Sequence, residues 1–471
     1  MLPHALLCLL QAALITAQTR QQLSLNSLSS FSPQSLPNPP AFSLPSSDAL
    51  AVSVAVCSGD LQSSLPRFFV TNDTSVGIPG SGGGTNVFEI FLDAGLGNWT
   101  GLASNGGVLA VENAGQTSFE VGVSNTGPLH QHLNTPPLLG DTTSNGAILF
   151  SPPFAPAPNE QPTYPNYTLP LANLTPPTPP SSPNFTLILS PTSSSLAAGL
   201  QTGCKLASIQ SSGNQISQTP WLRDQDGWRS QWLIGSLTSA TNYTAFVIRD
   251  STKVSGPIYL VTKSAAFSCP LVHSLPFCPS VSYAVPLSQP SNANPAYDAN
   301  TLPSSVTQPL LTYMTNFTTT LLTFACGRDM YSPLQSCADC QTAYRKWLCS
   351  VSFTRCSEAS PGSASSTSQT TGIPQQPLSA LFPQPTNASD RNSNLSGSES
   401  PYTTLLPCLE TCTAVDRACP SFIGFKCPVV RFNAATSYGV GFIDSGKDGV
   451  QGQGSAGTAQ DMWGNIWCNG S

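Results

Sequence analysis

Cys326-Gly-Arg-Asp-Met-Tyr-Ser-Pro-Leu-Gln-Ser-Cys337-Ala-Asp-Cys340-Gln-Thr-Ala-Tyr-Arg-Lys-Trp-Leu-Cys349-Ser-Val-Ser-Phe-Thr-Arg-Cys356 carries five cysteines in one short run. In a helix, positions three and four apart share a face, so Cys337 and Cys340 point together and Tyr344, Trp347 and Leu348 extend that face. Arg345 and Lys346 fall on the other side, the pattern of a half-buried helix. The spacing repeats downstream at Cys408, Cys412 and Cys419, with Cys427 and Cys468 beyond. Cysteines on one helix face staple that helix to its neighbours, so this part of the chain reads as a disulfide-tied, mainly helical domain. A redox role for Cys337-x-x-Cys340 would need a helix start after a buried strand, but Ser332-Pro-Leu-Gln-Ser336 precedes it. A zinc site would need a second ligand pair, and none of the chain's four histidines lies here.

Just upstream, Leu310, Met314, Phe317, Leu321 and Phe324 are spaced for a helix running into Cys326. Residues 357–401 interrupt the cysteine-rich domain, assigned to 267–471, with a Ser/Thr/Pro/Gln-rich insert that lacks cysteine and is expected to be disordered. The remainder of the chain reads as β structure. Short apolar runs bounded by Gly, Asn and Pro mark a β-rich module over 49–150, and a proline-dense linker covers 151–183. Strand-like runs resume over 184–266, where Leu237-x-x-x-Thr241-x-Tyr243 is similar to the tyrosine corner of β-sandwiches. Residues 18–48 form a polar, low-complexity N-terminal segment. The expected class is therefore α+β and multidomain, a β-sandwich-like region followed by a helical cysteine-rich domain.

Residues 1–17, Met-Leu-Pro-His-Ala-Leu-Leu-Cys-Leu-Leu-Gln-Ala-Ala-Leu-Ile-Thr-Ala, fit a secretory signal. Its removal takes away Cys8 and leaves fourteen of the 15 cysteines, an even number that an oxidising compartment pairs completely. Glycosylation sequons at Asn72, Asn98, Asn166, Asn184, Asn242, Asn316, Asn387 and Asn394 agree with that route, while those at Asn173 and Asn469 are poorly placed for use. Charged residues make up 8% of the 471 and the net charge is −6, so there is no basic surplus for nucleic acid or an anionic membrane. No segment after the leader reaches the roughly 18 to 20 apolar residues of a membrane span, and membrane attachment is expected through a partner.

Tests for catalytic and ion sites fail. Gly452-x-Gly454-x-x-Gly457 has dinucleotide-loop spacing but lacks the preceding strand, and Asp444-Ser-Gly-Lys-Asp448 lacks the later ligands of a calcium loop. His130-Gln-His132 has no third metal ligand in view and is expected in a surface loop. The chain is therefore read as no enzyme, with no cofactor and no metal.

Cys326-Gly-Arg-Asp-Met-Tyr-Ser-Pro, then Cys337 to Cys349, the ending Phe353-Thr-Arg-Cys356, Pro407-Cys-Leu-Glu-Thr-Cys412 to Cys427 and Asp461-Met-Trp-Gly-Asn-Ile-Trp-Cys468 together resemble the fungal Mid family of stretch-activated calcium channel components. The resemblance implies a glycoprotein of the secretory pathway, at the extracellular face of the plasma membrane and also in the endoplasmic reticulum, that assists calcium influx beside the pore-forming alpha subunit of a voltage-gated-type calcium channel. A mechanosensitive pore of its own, often attributed to the family, is disfavoured because no membrane-length apolar segment follows the leader. Arg328 and Trp347 are then candidate partner contacts. The spacings Cys340-x8-Cys349-x6-Cys356 and Cys408-x3-Cys412-x6-Cys419 also resemble frizzled-type domains. That likeness implies the pairs Cys340–Cys419, Cys408–Cys468 and Cys412–Cys427, and allows an alternative role as a secreted or receptor-type ligand-binding module. In such domains two cysteines stand well ahead of the third, whereas Cys337 is three residues before Cys340, so the partners of Cys57, Cys204, Cys269, Cys278, Cys326 and Cys337 stay open.

Overall fold

The computed structural model describes residues 20–61, 64–84, 86–158, 167–170, 176–223, 226–290, 295–358, 381–384, 391–395 and 401–429, with short pieces at 434, 437–439, 442–443, 454–455 and 468–470. The expected leader and the sequons at Asn166, Asn173 and Asn387 lie outside them. The chain forms two compact units, 1–131 with 200–205, and 132–199 with 206–471.

The first unit is built from nine strands: β1 (Gln21–Gln22), β2 (Ser27–Phe31), β3 (Ala41–Leu44), β4 (Ser47–Val56), β5 (Arg67–Thr71), β6 (Val87–Ile90), β7 (Leu96–Ala103), β8 (Gly107–Glu112) and β9 (Phe119–Ser124). They form two sheets, ordered β1-β3-β8-β5-β6 and β2-β9-β4-β7. Phe31, Phe42, Val52, Val54, Phe68, Leu109, Phe119 and Val121 share one core between them. The segment 18–48, read from the sequence as polar and low-complexity, supplies three strands and the start of a fourth. Its apolar residues are few, but Leu23, Phe31, Phe42 and Leu44 are placed so that each is buried, while in β2 Leu28 and Ser30 take the outward positions and Ser27 and Ser29 share the face of Phe31. Cys57–Cys204 ties the 200–205 segment to this unit, and Thr202 Oγ1 donates to Val56 O at 2.8 Å.

The second unit begins with a sandwich of two four-stranded sheets. One is ordered β10 (Gln131–His132), β17 (Lys253–Val261), β16 (Asn242–Arg249) and β13 (Phe185–Pro191). The other is ordered β11 (Leu138–Thr142), β12 (Ala147–Phe150), β15 (Trp228–Gly235) and β14 (Asn214–Leu222). Leu149, Trp232 and Ile234 from one sheet meet Leu187, Leu189, Tyr243 and Val247 from the other. Ala147–Phe150, read from the sequence as the last run of the first β module, is thus a strand of the second sandwich, pairing antiparallel with β15. The Tyr243 hydroxyl accepts from Thr238 N at 3.0 Å, the back-bond that the Leu237–Tyr243 spacing predicts.

After the short α1 (Gly203–Ala207), which begins in the first unit, the rest of the second unit carries three longer helices: α2 (Ser304–Leu321), α3 (Cys337–Ser352) and α4 (Leu409–Ala418). Leu310, Met314, Leu348, Cys349 and Phe353 pack with Leu275, Phe277, Val281 and Tyr283 of the segment leading from the sandwich. A buried ion pair joins β11 to the strand after α3: Asp141 accepts from Arg355 Nε at 3.0 Å and from Ala284 N at 3.2 Å. Within the insert expected to be disordered, Leu381–Gln384 forms a strand against Tyr402–Leu405, and Leu395 is 2% exposed. These pieces take their pairing and burial from residues outside the insert, which its own composition does not reveal.

Candidate functional site

Helix α3 organises the site. Its start is fixed by a capping box: Ser336 Oγ accepts from Asp339 N at 3.3 Å, and the Asp339 carboxylate accepts from Ser336 N at 2.8 Å. From this start the helix is bridged at three points, Cys337–Cys326, Cys340–Cys419 and Cys349–Cys278. Cys408–Cys468 and Cys412–Cys427 hold α4, and Cys269–Cys356 ties the strand after α3 back to the segment leaving the sandwich. All fourteen cysteines from Cys57 onward are paired. Three of the bridges are those the frizzled-type likeness implies. Cys326–Cys337, left open by the sequence, closes a loop ahead of α3.

That loop is the most exposed apolar feature of the cysteine-rich region. Met330 is 85% exposed and Leu334 84%, although both sit in a loop closed by a disulfide. Tyr331 anchors it from beneath, its hydroxyl lying 2.6 Å from Ser336 O and 2.7 Å from Ala418 O and sharing its proton between them. Burial pushes the phenol up to about 12, so it remains a donor throughout the physiological range. Arg328 lies at the loop surface and donates twice to the Asp329 carboxylate, both at 2.9 Å. Such an exposed pair adds little stability, which leaves both groups available to a partner.

Beside the loop runs a ladder of aromatic rings. Phe317 of α2 stacks on Tyr344 of α3 with centroids 3.6 Å apart, Trp347 meets Phe425 edge-on at 4.9 Å, and Phe324 lies 6.2 Å from Phe422. Phe422 is 50% exposed and Tyr313 56%. Trp347, the other candidate contact, donates from Nε1 to the Tyr438 hydroxyl at 2.8 Å and packs on Cys412 and Ala434. The structure therefore places Arg328 at the surface and makes Trp347 a packing residue between α3 and the segment around Phe425 and Tyr438. Met330 and Leu334 were missed by sequence reasoning because an apolar residue in a loop has no periodicity to reveal whether it turns in or out.

The sequons also separate. Asn98, Asn184 and Asn316 are exposed and Asn72, Asn242 and Asn394 half-buried, whereas Asn469 is buried. His130, expected in a surface loop, is 1% exposed: its Nδ1 lies 3.0 Å from Ser53 Oγ and its Nε2 3.4 Å from a Glu120 carboxylate oxygen. This Ser-His-Glu chain does not form a hydrolytic site, since Ser53 is fully buried and its oxygen accepts from the backbone N–H groups of Leu129 and His130. Among the described residues, the two groups of side chains close enough to share a metal, Cys57–Glu120–Cys204 and Cys408–Glu410–Cys468, each contain a disulfide and so offer no thiolate. No helix of the described residues is long and apolar enough to cross a membrane.

Residues 55–452 match the family described as Mid1, stretch-activated Ca2+-permeable channel component. The chain is similar to the stretch-activated cation channel MID1 of Cryptococcus neoformans var. grubii, 36% identical over an alignment covering 84% of this chain and 73% of that protein. It is also similar to the stretch-activated cation channel yam8 of Schizosaccharomyces pombe, 28% identical over 47% of this chain and 44% of that one. The stretch-activated cation channel MID1 of Saccharomyces cerevisiae is 29% identical over 41% of this chain and 34% of its own length.

Proposed function

This chain belongs to the Mid1 family of stretch-activated Ca2+-permeable channel components, and we propose that it serves there as an extracellular auxiliary subunit docking on a separate pore-forming alpha subunit of voltage-gated type. The family is one of channel components that support calcium influx, not of enzymes. The observation that carries the docking role is the Cys326–Cys337 loop, which holds Met330 and Leu334 almost fully in solvent on a disulfide-closed frame. Exposing two large apolar side chains in a constrained loop has no folding benefit, and rigid presentation lowers the entropy lost on binding. The aromatic ladder and Arg328 extend the same face, and aromatic and Arg residues are enriched where interfaces draw their energy.

The seven disulfides suit the secretory pathway, and we place the chain at the outer face of the plasma membrane, glycosylated at the exposed sequons among Asn72, Asn98, Asn184, Asn242, Asn316 and Asn394. We also read the helical region as frizzled-like. In support, Cys269 and Cys278 stand well ahead of Cys340 and bridge to Cys356 and Cys349, so the framework's two leading cysteines have counterparts and Cys326–Cys337 becomes a local addition. Affinity purification of the tagged chain from solubilised membranes, with mass spectrometry of what accompanies it, tests the assignment. A pore-forming channel subunit is expected, and recovery of the chain alone from calcium-conducting cells would reject it.

A further inference from the structure

The second unit contains a cavity of about 960 Å³, separate from the loop face. It is bounded by β14, by Pro156–Pro158 and the prolines at 176, 177 and 179, by residues 273–279 and 298–300, and by the first turns of α3. That volume falls within the range of small-molecule sites, about 300 to 1,000 Å³. We infer that this cavity binds an uncharged amphiphile, an apolar body ending in a hydroxyl, with the hydroxyl on His273.

Three features define the ligand. The first is the wall: Trp221, Trp228, Leu222, Leu233, Ile216 and the proline rings, which bring no N–H of their own, suit an apolar body. The second is His273, which lines the cavity and is 8% exposed. Its Nδ1 is engaged by Gln231 Nε2 at 3.2 Å and Ser274 Oγ at 2.7 Å, while its Nε2 is buried and has no hydrogen-bond partner in the protein. Leaving such a group unmatched costs free energy that a ligand oxygen recovers. Burial pushes the imidazole below its usual value, so the ring is neutral at pH 7 and presents one polar atom without a charge. The third feature is charge. Asp298, Asp339 and Arg345 line the cavity, two carboxylates to one guanidinium, which disfavours an anionic head. Both carboxylates are held in place by the chain itself, Asp298 by the backbone N–H groups of Asn300 and Thr301 and Asp339 by the α3 cap. With Nδ1 accepting from the Gln231 amide, the neutral ring carries its proton on Nε2, which donates to the hydroxyl oxygen of the ligand.

The test is fluorescence displacement on the purified full chain. N-phenylnaphthylamine is the reporter, and dodecanol and laurate, equal in chain length and differing in head-group charge, are the competitors at pH 7. Dodecanol is expected to displace the reporter at a concentration about tenfold lower than laurate. Ile216→Trp, on the exposed strand wall, and Thr342→Trp, on the helix wall, fill the cavity and are each expected to weaken reporter binding about tenfold with melting unchanged. No saturable reporter binding, laurate competing as well as dodecanol, or undiminished binding in both filled variants would overturn the inference. Should neither variant be secreted, the competition on the unaltered chain decides alone.

Discussion

The structure assigns Arg328 and Trp347 different kinds of work. Arg328 pairs with its neighbour Asp329, and its side chain is 63% exposed. Arg328→Ala is therefore expected to secrete and melt like the unaltered chain, so any loss of calcium uptake reports on the partner. Trp347 meets Tyr344, Phe425 and the Tyr438 hydroxyl, and Trp347→Ala removes a ring from a packed ladder at a cost of about 2 kcal/mol or more. Reduced secretion, measured beside calcium uptake, is the expected signature. His130 and Glu120 give a second prediction at this scale. The hydrogen bond to His130 holds the Glu120 carboxyl below its usual value. A depressed carboxyl stabilises the fold above its unfolded value, about 4.3, and that stabilisation fades as pH falls through the folded value. Glu120→Gln should accordingly melt below the unaltered chain at pH 7, with the gap closing near pH 3. A gap of constant size across that range would remove the pair from the account.

Among the elements, the helices were the most legible. Leu310, Met314 and Leu321 show a helical period in the sequence and are buried along one side of α2, and Cys337, Cys340 and Leu348 do the same on α3. The β elements were legible as strands where apolar runs are dense, as in Leu50–Val56, and illegible where the alternation is reversed, as in Ser27–Phe31, where Leu28 turns outward and two serines share the inward face with Phe31. The cysteines of α3 could be read as bridging, but spacing alone leaves the partner of each open. Cys337 bonds back across 11 residues and Cys340 forward across 79. The final bridge is the one whose loss is easiest to measure. Cys408–Cys468 fastens the 468–470 segment to Leu406–Cys408, where Cys408 N donates to Asn469 O at 2.9 Å and Asn469 N donates to Leu406 O at 2.8 Å. Losing a native bridge from a secreted domain costs about 2 to 5 kcal/mol. Cys468→Ser is thus expected to leave a free Cys408 thiol, detectable by alkylation, and to cut export sharply. Normal export of that variant would show that the bridge is dispensable.

In the whole molecule, the second of two β-rich units carries a helical disulfide-bonded region, and contacts distant in sequence unite that region with its own sandwich. The Asp141–Arg355 pair spans 214 residues, a separation at which neither partner shows any sign of the other in the sequence. The same holds for the exposed loop, because exposure depends on what the rest of the chain leaves uncovered. Composition and leader pointed to a secreted chain lacking chemistry of its own, and the cysteine pattern pointed to the family. The docking face we propose rests on the exposure of Met330 and Leu334, which only the structure shows. Its most direct test is a double variant, Met330→Asp with Leu334→Asp, compared with the unaltered chain for secretion and for co-purification of the pore-forming subunit from solubilised membranes. Both side chains already lie in solvent, so equal secretion and melting are predicted, with the channel subunit lost from the purified fraction and calcium uptake lost with it. Retention of the channel subunit by a secreted double variant would contradict the assignment of this loop as the docking surface.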